Sequence, residues 1–323
     1  MKYRRFGRTN WNVSEIGYGM WGMAGWSGSE DQESLASLQK SIDLGCNFFD
    51  TAWAYGDGHS EQLLGKILRA NRGKQLYIAT KVPPKNRRWP ATKDFTLDDC
   101  YPPDYVFEYV EKSLANIGVE TLDLIQFHTW DDGWLKDPRT TRTIETLRSS
   151  GKVRAVGLSL NRWEPWNGLE AVKAGLVDAV QVIYNIFDQN PEDQLFPACR
   201  ARDVGIIARV PFDEGGLTGT LTLDSKFPSS DWRSGYFNSE NLKATVDRAT
   251  KLKPLVPPGS TLPEMALRFI LNNPDVHTII PGMRKTRHVE SNVAASDKGG
   301  LSLSLMSSLR DHRWVRKPAP WSD

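Results

Sequence analysis

The chain has 323 residues, is 39% hydrophobic and 25% charged, and carries a formal net charge of +2 at pH 7. Those values suit a globular fold and point away from nucleic acid and acidic surfaces as partners. No apolar run reaches the roughly 18 residues of a membrane span, the charged start Met1-Lys2-Tyr3-Arg4-Arg5 lacks a secretory core, and Cys46, Cys100 and Cys199 form no CxxC, so a soluble cytoplasmic protein without disulfides is expected.

In chain order, the opening residues with Gly7 at a turn predict a hairpin that plugs the floor of a barrel. Short apolar runs at 15–19, 47–51, 77–81, 122–128, 153–159, 179–185, 205–211 and 277–281 read as strands. They lack polar alternation, as parallel strands covered on both faces do. Helical patterns fall between them at 32–44, 60–68, 104–116, 138–149, 165–174, 191–201, 242–251 with 262–271, and 286–294. Pro138, Pro165 and Pro191 each open a helix in this reading, where a missing N–H costs nothing. A last helix is expected within 302–313. The alternation predicts an α/β fold, a (β/α)8 TIM barrel with an N-terminal hairpin and a C-terminal extra helix, spanning 1–323 as one domain. A doubly wound sheet is the runner-up, and no GxGxxG follows the first strand to support it. Two connections, 82–103 and 212–240, are long enough to be lids or binding loops.

Three strands end on chemically active side chains. Asp50 closes the second, Lys81 the third and His128 the fourth, and Tyr55 lies in the loop after Asp50. In a barrel, that end of the strands carries the chemistry. A phenol ordinarily loses its proton near pH 10, and a neighbouring ammonium lowers that value. Lys81 is the candidate cation, Asp50 its anchor, and His128 the group that orients Tyr55 or a substrate oxygen. Taken singly, each has a plainer role: a turn cap, a packing ring, a solvated amine, a core imidazole. Their shared position at strand ends argues for a proton-transfer site. The five histidines show no metal-ligand spacing, so no metal is expected.

Several motifs in order, Phe48-Phe49-Asp50-Thr51-Ala52-x-x-Tyr55-Gly56, Ala79-Thr80-Lys81, Asp123-Leu124-x-x-x-His128 and Gln181-Val182-x-Tyr184-Asn185, resemble the aldo-keto reductase superfamily. Pro211, Gly216-Leu217-Thr218-Gly219 and Ile280-Pro281-Gly282 extend the resemblance. It implies a barrel that binds a nicotinamide cofactor and interconverts a carbonyl and an alcohol, with Asp50, Tyr55, Lys81 and His128 as the tetrad and Tyr55 as general acid. It implies Gly22 as a cofactor contact and Ser159, Asn161 and Gln181 around the nicotinamide, although Asn161 stands one place later than in the family. Arg209 occupies the place of a stacking tyrosine, where a guanidinium can stack or reach a phosphate. Pro211, Gly216, Leu217 and Gly219 belong to the segment that closes over the pyrophosphate, and Gly282, Glu290 and Asn292 lie on the adenosine side. Arg284, Lys285, Arg287 and His288 gather where the last barrel helix starts, which favours NADPH/NADP+, with NADH possible.

Tryptophan is common, at twelve residues. Trp21, Trp26, Trp53, Trp89, Trp130, Trp134, Trp163 and Trp166 all follow strands at the catalytic end, and Trp21, Trp53, Trp89 and Trp130 rank first as a substrate wall. The expected partner is a small carbonyl or alcohol with a flat or apolar surface. A second reading is a cofactor-sensing regulatory protein of the same superfamily with little turnover.

Overall fold

The computed structural model describes residues 1–25, 30–229 and 231–316. β1 (Tyr3–Phe6) and β2 (Trp11–Ser14) form the hairpin around Gly7. Eight parallel strands come next: β3 (Tyr18–Gly19), β4 (Phe48–Asp50), β5 (Tyr77–Val82), β6 (Leu122–Phe127), β7 (Val153–Ser159), β8 (Ala179–Ile183), β9 (Gly205–Arg209) and β10 (Thr278–Ile279). They pair in sequence order, and bridges from Ile16 to Ile279 and from Gly19 to Gly282 close the ring. A Cβ on Gly19 would lie 2.5 Å from the Ile280 carbonyl oxygen, so the seam requires glycine. The fold is a (β/α)8 barrel.

The helices are α1 (Asp31–Asp43), α2 (His59–Ala70), α3 (Leu97–Cys100), α4 (Pro103–Ile117), α5 (Pro138–Ser149), α6 (Leu169–Lys173), α7 (Leu195–Arg202), α8 (Arg233–Tyr236), α9 (Ser239–Leu252), α10 (Leu262–Leu271), α11 (Thr286–Asp297) and α12 (Leu303–Arg310). Pro138 does open α5, with the Asp137 carboxylate accepting from Arg139 N–H at 2.9 Å. Pro165 and Pro191 do not open helices as expected. Pro191 sits in a 3-10 turn before α7. α6 starts after Gly168, and its first N–H groups are capped by Asp132, which accepts from Gly168 and Glu170 at 2.9 Å each. That cap comes from a distant loop, so local sequence carries no sign of it. The three cysteines are buried and free. Among the described residues, no helix is long and apolar enough to cross a membrane.

The barrel separates two cores. Outward-facing strand residues such as Phe49, Ile78, Ile125, Val156, Val180 and Ile206 pack under the helices. Inward-facing Phe48, Tyr77, Ala79, Leu124, Ala155, Ala179 and Ile207 meet Phe6 and Val13 from the hairpin, which seals the floor. Side chains alternate along a strand with period 2. The next inward position after each floor residue is therefore the one that faces the catalytic end. Phe48 leads to Asp50, Ala79 to Lys81, Leu124 to Gln126, Ala179 to Gln181 and Ile207 to Arg209. On these five strands the inward face switches from apolar to polar as the chain climbs.

The floor also holds a histidine that titrates against the fold. The Nδ1 of His277 accepts from Ile206 N–H at 2.9 Å, and its ring meets the Phe6 edge. Burial first, then Arg4 and Arg5, push its pKa from 6.5 down to about 4. The unfolded chain therefore takes up this proton first as pH falls. The stability is complete above pH 6.5 and is lost between 6.5 and 4, by up to roughly 3 kcal/mol. Urea unfolding at pH 7 and pH 5 should show a fall that is reduced in His277→Gln. An equal fall in the variant would contradict this account.

Candidate active site

Asp50 and Lys81 end neighbouring strands on the inward face, and that register brings them together. The Lys81 ammonium lies 2.6 Å from Asp50 Oδ1 and 2.7 Å from the Thr51 carbonyl oxygen, and both side chains are at most 2% exposed. The other Asp50 oxygen accepts from Gln181 at 2.7 Å and from Gln126 at 3.2 Å. A buried ion pair is sustained only when its remaining valences are satisfied, and here they are. The ammonium reaches the Tyr55 hydroxyl at 3.4 Å and stands 5.1 Å from the ring centroid. His128 meets the Tyr55 ring edge-on at a centroid separation of 5.7 Å. The four sequence-predicted residues are thus brought to one place.

Two electrostatic details refine the expectation. Burial raises the Tyr55 phenol above its ordinary range, with Lys81 opposing and Asp50 reinforcing. The expected net lowering by Lys81 is not found, because burial of the phenol outweighs the ammonium beside it. The Tyr55 hydroxyl is therefore protonated at neutral pH. Burial, then Lys81 and Arg209, hold the His128 pKa well below 6.5. The imidazole is neutral at pH 7, and among the described residues its buried Nδ1 has no hydrogen-bond partner.

Tyr55 and His128 open onto a cleft of about 280 Å³. Ser159, Asn161, Gln181 and Arg209 line it, as does Leu160, whose carbonyl oxygen accepts from Arg209 at 2.9 Å. Asn161 donates to the Ala91 carbonyl oxygen at 3.1 Å. The Nε of Arg209 is buried without a partner among the described residues. Pro211, Gly216 and Leu217 are buried in the following turn, and Gly219 is exposed at its end with φ +75°. Within this turn Val210, Asp213 and Glu214 all hold positive φ, at 54°, 47° and 56°. A β-branched residue in that region is strained and needs external support. The Asn185 side chain supplies some by donating to the Val210 carbonyl oxygen at 3.0 Å.

The cationic cluster lies where α11 begins. Gly22 packs on the Arg284 stem, and a Cβ there would meet Arg284 Cδ at 2.9 Å. Gly282, Lys285, Arg287 and His288 are exposed, whereas Asn292 is buried. Partial burial and then Arg287, Lys285 and Arg284 lower the His288 pKa, which reports positive potential at this corner. Glu290 pairs with Lys40 at 2.9 Å.

The four ranked tryptophans separate. Trp89 lines the cleft, edge-on to His128 at 5.6 Å. Trp21 is exposed and meets Trp232, another lining residue, edge-on at 5.8 Å. Trp53 packs on Tyr109 of α4 under Arg87, away from the cleft lining. Trp130 is fully buried against Phe127 and Trp134, with its indole N–H on Asp132, so the rim loops use it as core. Trp26 lies outside the described residues. Sequence reasoning also missed Trp232 and Tyr236, which reach the cleft from the long loop 212–240 and rest on that loop's own apolar cluster. It missed Glu214 on the same loop, whose length was the one hint, and Arg162 on the loop after β7, for which there was none.

The family model for the aldo/keto reductases matches residues 15–313. The chain belongs to the aldo/keto reductase family. It is 29% identical to an NADH-specific methylglyoxal reductase of Escherichia coli, over 91% of this chain and 93% of that protein. Its structure is similar to that of a glycerol dehydrogenase from Gluconobacter oxydans, with a TM-score of 0.78 and 26% identity, over 99% of this chain and 98% of that one. It is also similar to an aldo/keto reductase from Klebsiella pneumoniae in complex with NADP and acetate, with a TM-score of 0.71 and 25% identity, each chain covered to 98%. An oxidoreductase built on this barrel is the class to which the aldo/keto reductase tetrad motifs point.

Proposed function

We propose that the protein is an NADPH-dependent oxidoreductase that interconverts a carbonyl compound and its alcohol. The observation that carries this reading is the chain from Asp50 through Lys81 to the Tyr55 hydroxyl, ending at the cleft beside a neutral imidazole. The lining fits a nicotinamide cofactor. Ser159 and Asn161 are amide-matching groups at the end of β7, and Asp50 engages the Gln181 nitrogen, which leaves the Gln181 oxygen to face a carboxamide. When bound, the nicotinamide supplies or accepts the hydride. Tyr55 gives its proton to the carbonyl oxygen, Lys81 stabilises the phenolate left behind, and Asp50 with its two glutamines keeps Lys81 in place. His128 holds the substrate oxygen as a neutral hydrogen-bonding group. In the alcohol-oxidising direction the same groups act in reverse.

The positive corner at Arg284, Lys285, Arg287 and His288 supports NADPH over NADH, because a ribose phosphate meets cations at a helix start. A titration followed by tryptophan fluorescence should show NADPH binding at least about tenfold more tightly than NADH, the worth of one or two charge-assisted contacts. Arg284→Ala should narrow that ratio. Equal affinities would make the corner solvated surface, and binding of neither cofactor would overturn the whole reading. Trp89 and Trp232 favour substrates with a flat or apolar surface next to the carbonyl. A panel of aldehydes, ketones and sugar carbonyls tests this, and turnover confined to short linear aldehydes would contradict it.

A further inference from the structure

The segment after α12 returns to the active site. The Trp314 N–H donates to the Phe187 carbonyl oxygen at 2.8 Å, and the Trp314 ring lies between the guanidinium groups of Arg248 and Arg316. Arg316 then turns inward, and its side chain is 2% exposed. One of its terminal nitrogens lies 2.6 Å from both Asp188 and Asp213, and the other donates to the Tyr236 hydroxyl at 3.0 Å. Arg162, next to the cleft-lining Asn161, reaches Asp213 at 3.3 Å and Tyr236 at 2.6 Å. Asp213 is therefore gripped by two buried guanidinium groups from distant parts of the chain.

Asp213 opens the second half of the strained turn, at 213–218. It and Glu214 hold positive φ, and its Oδ2 lies under Gly216, where a Cβ would come within 2.9 Å. Two consecutive non-glycine residues in that conformation persist only where the surroundings hold them. The grip supplies that hold. With it in place, Glu214 lines the cleft beside Arg209, and the Gly215–Gly216 backbone is set for close approach by a ligand.

We infer that Arg316 is a positioning residue: through Asp213 it holds the turn 213–219 in its cofactor-receiving shape, so the tail of the chain is part of the binding machinery. The functional half of this inference rests on the reading under Proposed function, whereas the structural half does not. Removing Arg316 alone leaves Asp188 with a weaker partner, so two variants serve, Arg316→Lys and the double variant D188N/R316M, which leaves no additional uncompensated carboxylate.

Hydrogen exchange of the ligand-free protein gives the first readout. In D188N/R316M, amides of 213–219 should exchange at least about tenfold faster than in the wild type, with β5 to β8 unchanged, and Arg316→Lys should recover most of that protection. The second readout is the cofactor titration. NADPH affinity should fall about tenfold or more, with kcat at saturating cofactor within about threefold, a split that general loss of structure does not produce. Unchanged exchange in 213–219 overturns the inference. Faster exchange with unchanged NADPH affinity also overturns it, by showing that the turn's shape does not serve the cofactor. If the wild type binds neither NADPH nor NADH, the functional reading fails, and the exchange result still decides whether Arg316 holds the turn.

Discussion

Tyr55→Phe should lower kcat for carbonyl reduction by about 10²- to 10⁴-fold, the usual worth of a positioned general acid. The change removes one oxygen and leaves the ring, so the edge contact with His128 and the cation above the ring both survive. The Lys81–Asp50 pair, its glutamine supports and the lining at Ser159 and Asn161 do not depend on that hydroxyl. Cofactor affinity should therefore stay near the wild-type value. The two results together separate a lost proton donor from a damaged site. A variant that keeps wild-type turnover would end the assignment of Tyr55, and one that loses cofactor binding along with turnover would show that the hydroxyl holds structure.

Lys81→Met should cost stability as well as activity. The substitution leaves the Asp50 carboxylate buried against two amide N–H groups with no cation. Breaking a buried ion pair from one side typically costs about 3–5 kcal/mol, which for a domain of this size corresponds to a melting temperature lower by on the order of 10 °C. Most of that cost is the stranded charge. The double variant D50N/K81M removes the charge and should regain much of the lost stability, while turnover stays abolished in both. Calorimetry on Asp50→Asn, Lys81→Met and the double variant closes the cycle. A double variant no more stable than Lys81→Met would mean the pair does not couple in this way.

The meeting of Asp50 and Lys81 was legible because strand geometry makes it so. A polar residue two positions beyond a buried apolar one stays on the same face, and Asp50 and Lys81 were visible as the last such residues of their strands. Strands such as β6 to β9 were legible for a related reason, since each is a mostly apolar run of the length a barrel strand needs. The rim was less readable. That Trp130 follows a strand says it lies in a rim loop, but whether its indole faces ligand or core depends on Trp134 and Asp132 folding over it. The start of α6 depends on the same Asp132 arriving from another loop. The Arg316 grip joins residues more than a hundred positions apart, and nothing local to the tail announces it. Contacts assembled by tertiary folding leave no periodic trace in the chain.

The switch along five inward strand faces, from hydrocarbon at the floor to hydrogen-bonding groups two residues higher, divides the labour of the barrel by height. Phe48, Tyr77 and Leu124 lie in a layer that contacts the hairpin, and Asp50, Lys81 and Gln126 lie in the layer above. Variation in the lower tier changes how well the scaffold endures heat or denaturant and reaches the upper tier only through small displacements. A library confined to floor positions should accordingly yield variants that differ in robustness while keeping one substrate profile, and a library confined to the cleft-lining rim residues such as Trp89 and Trp232 should yield the reverse.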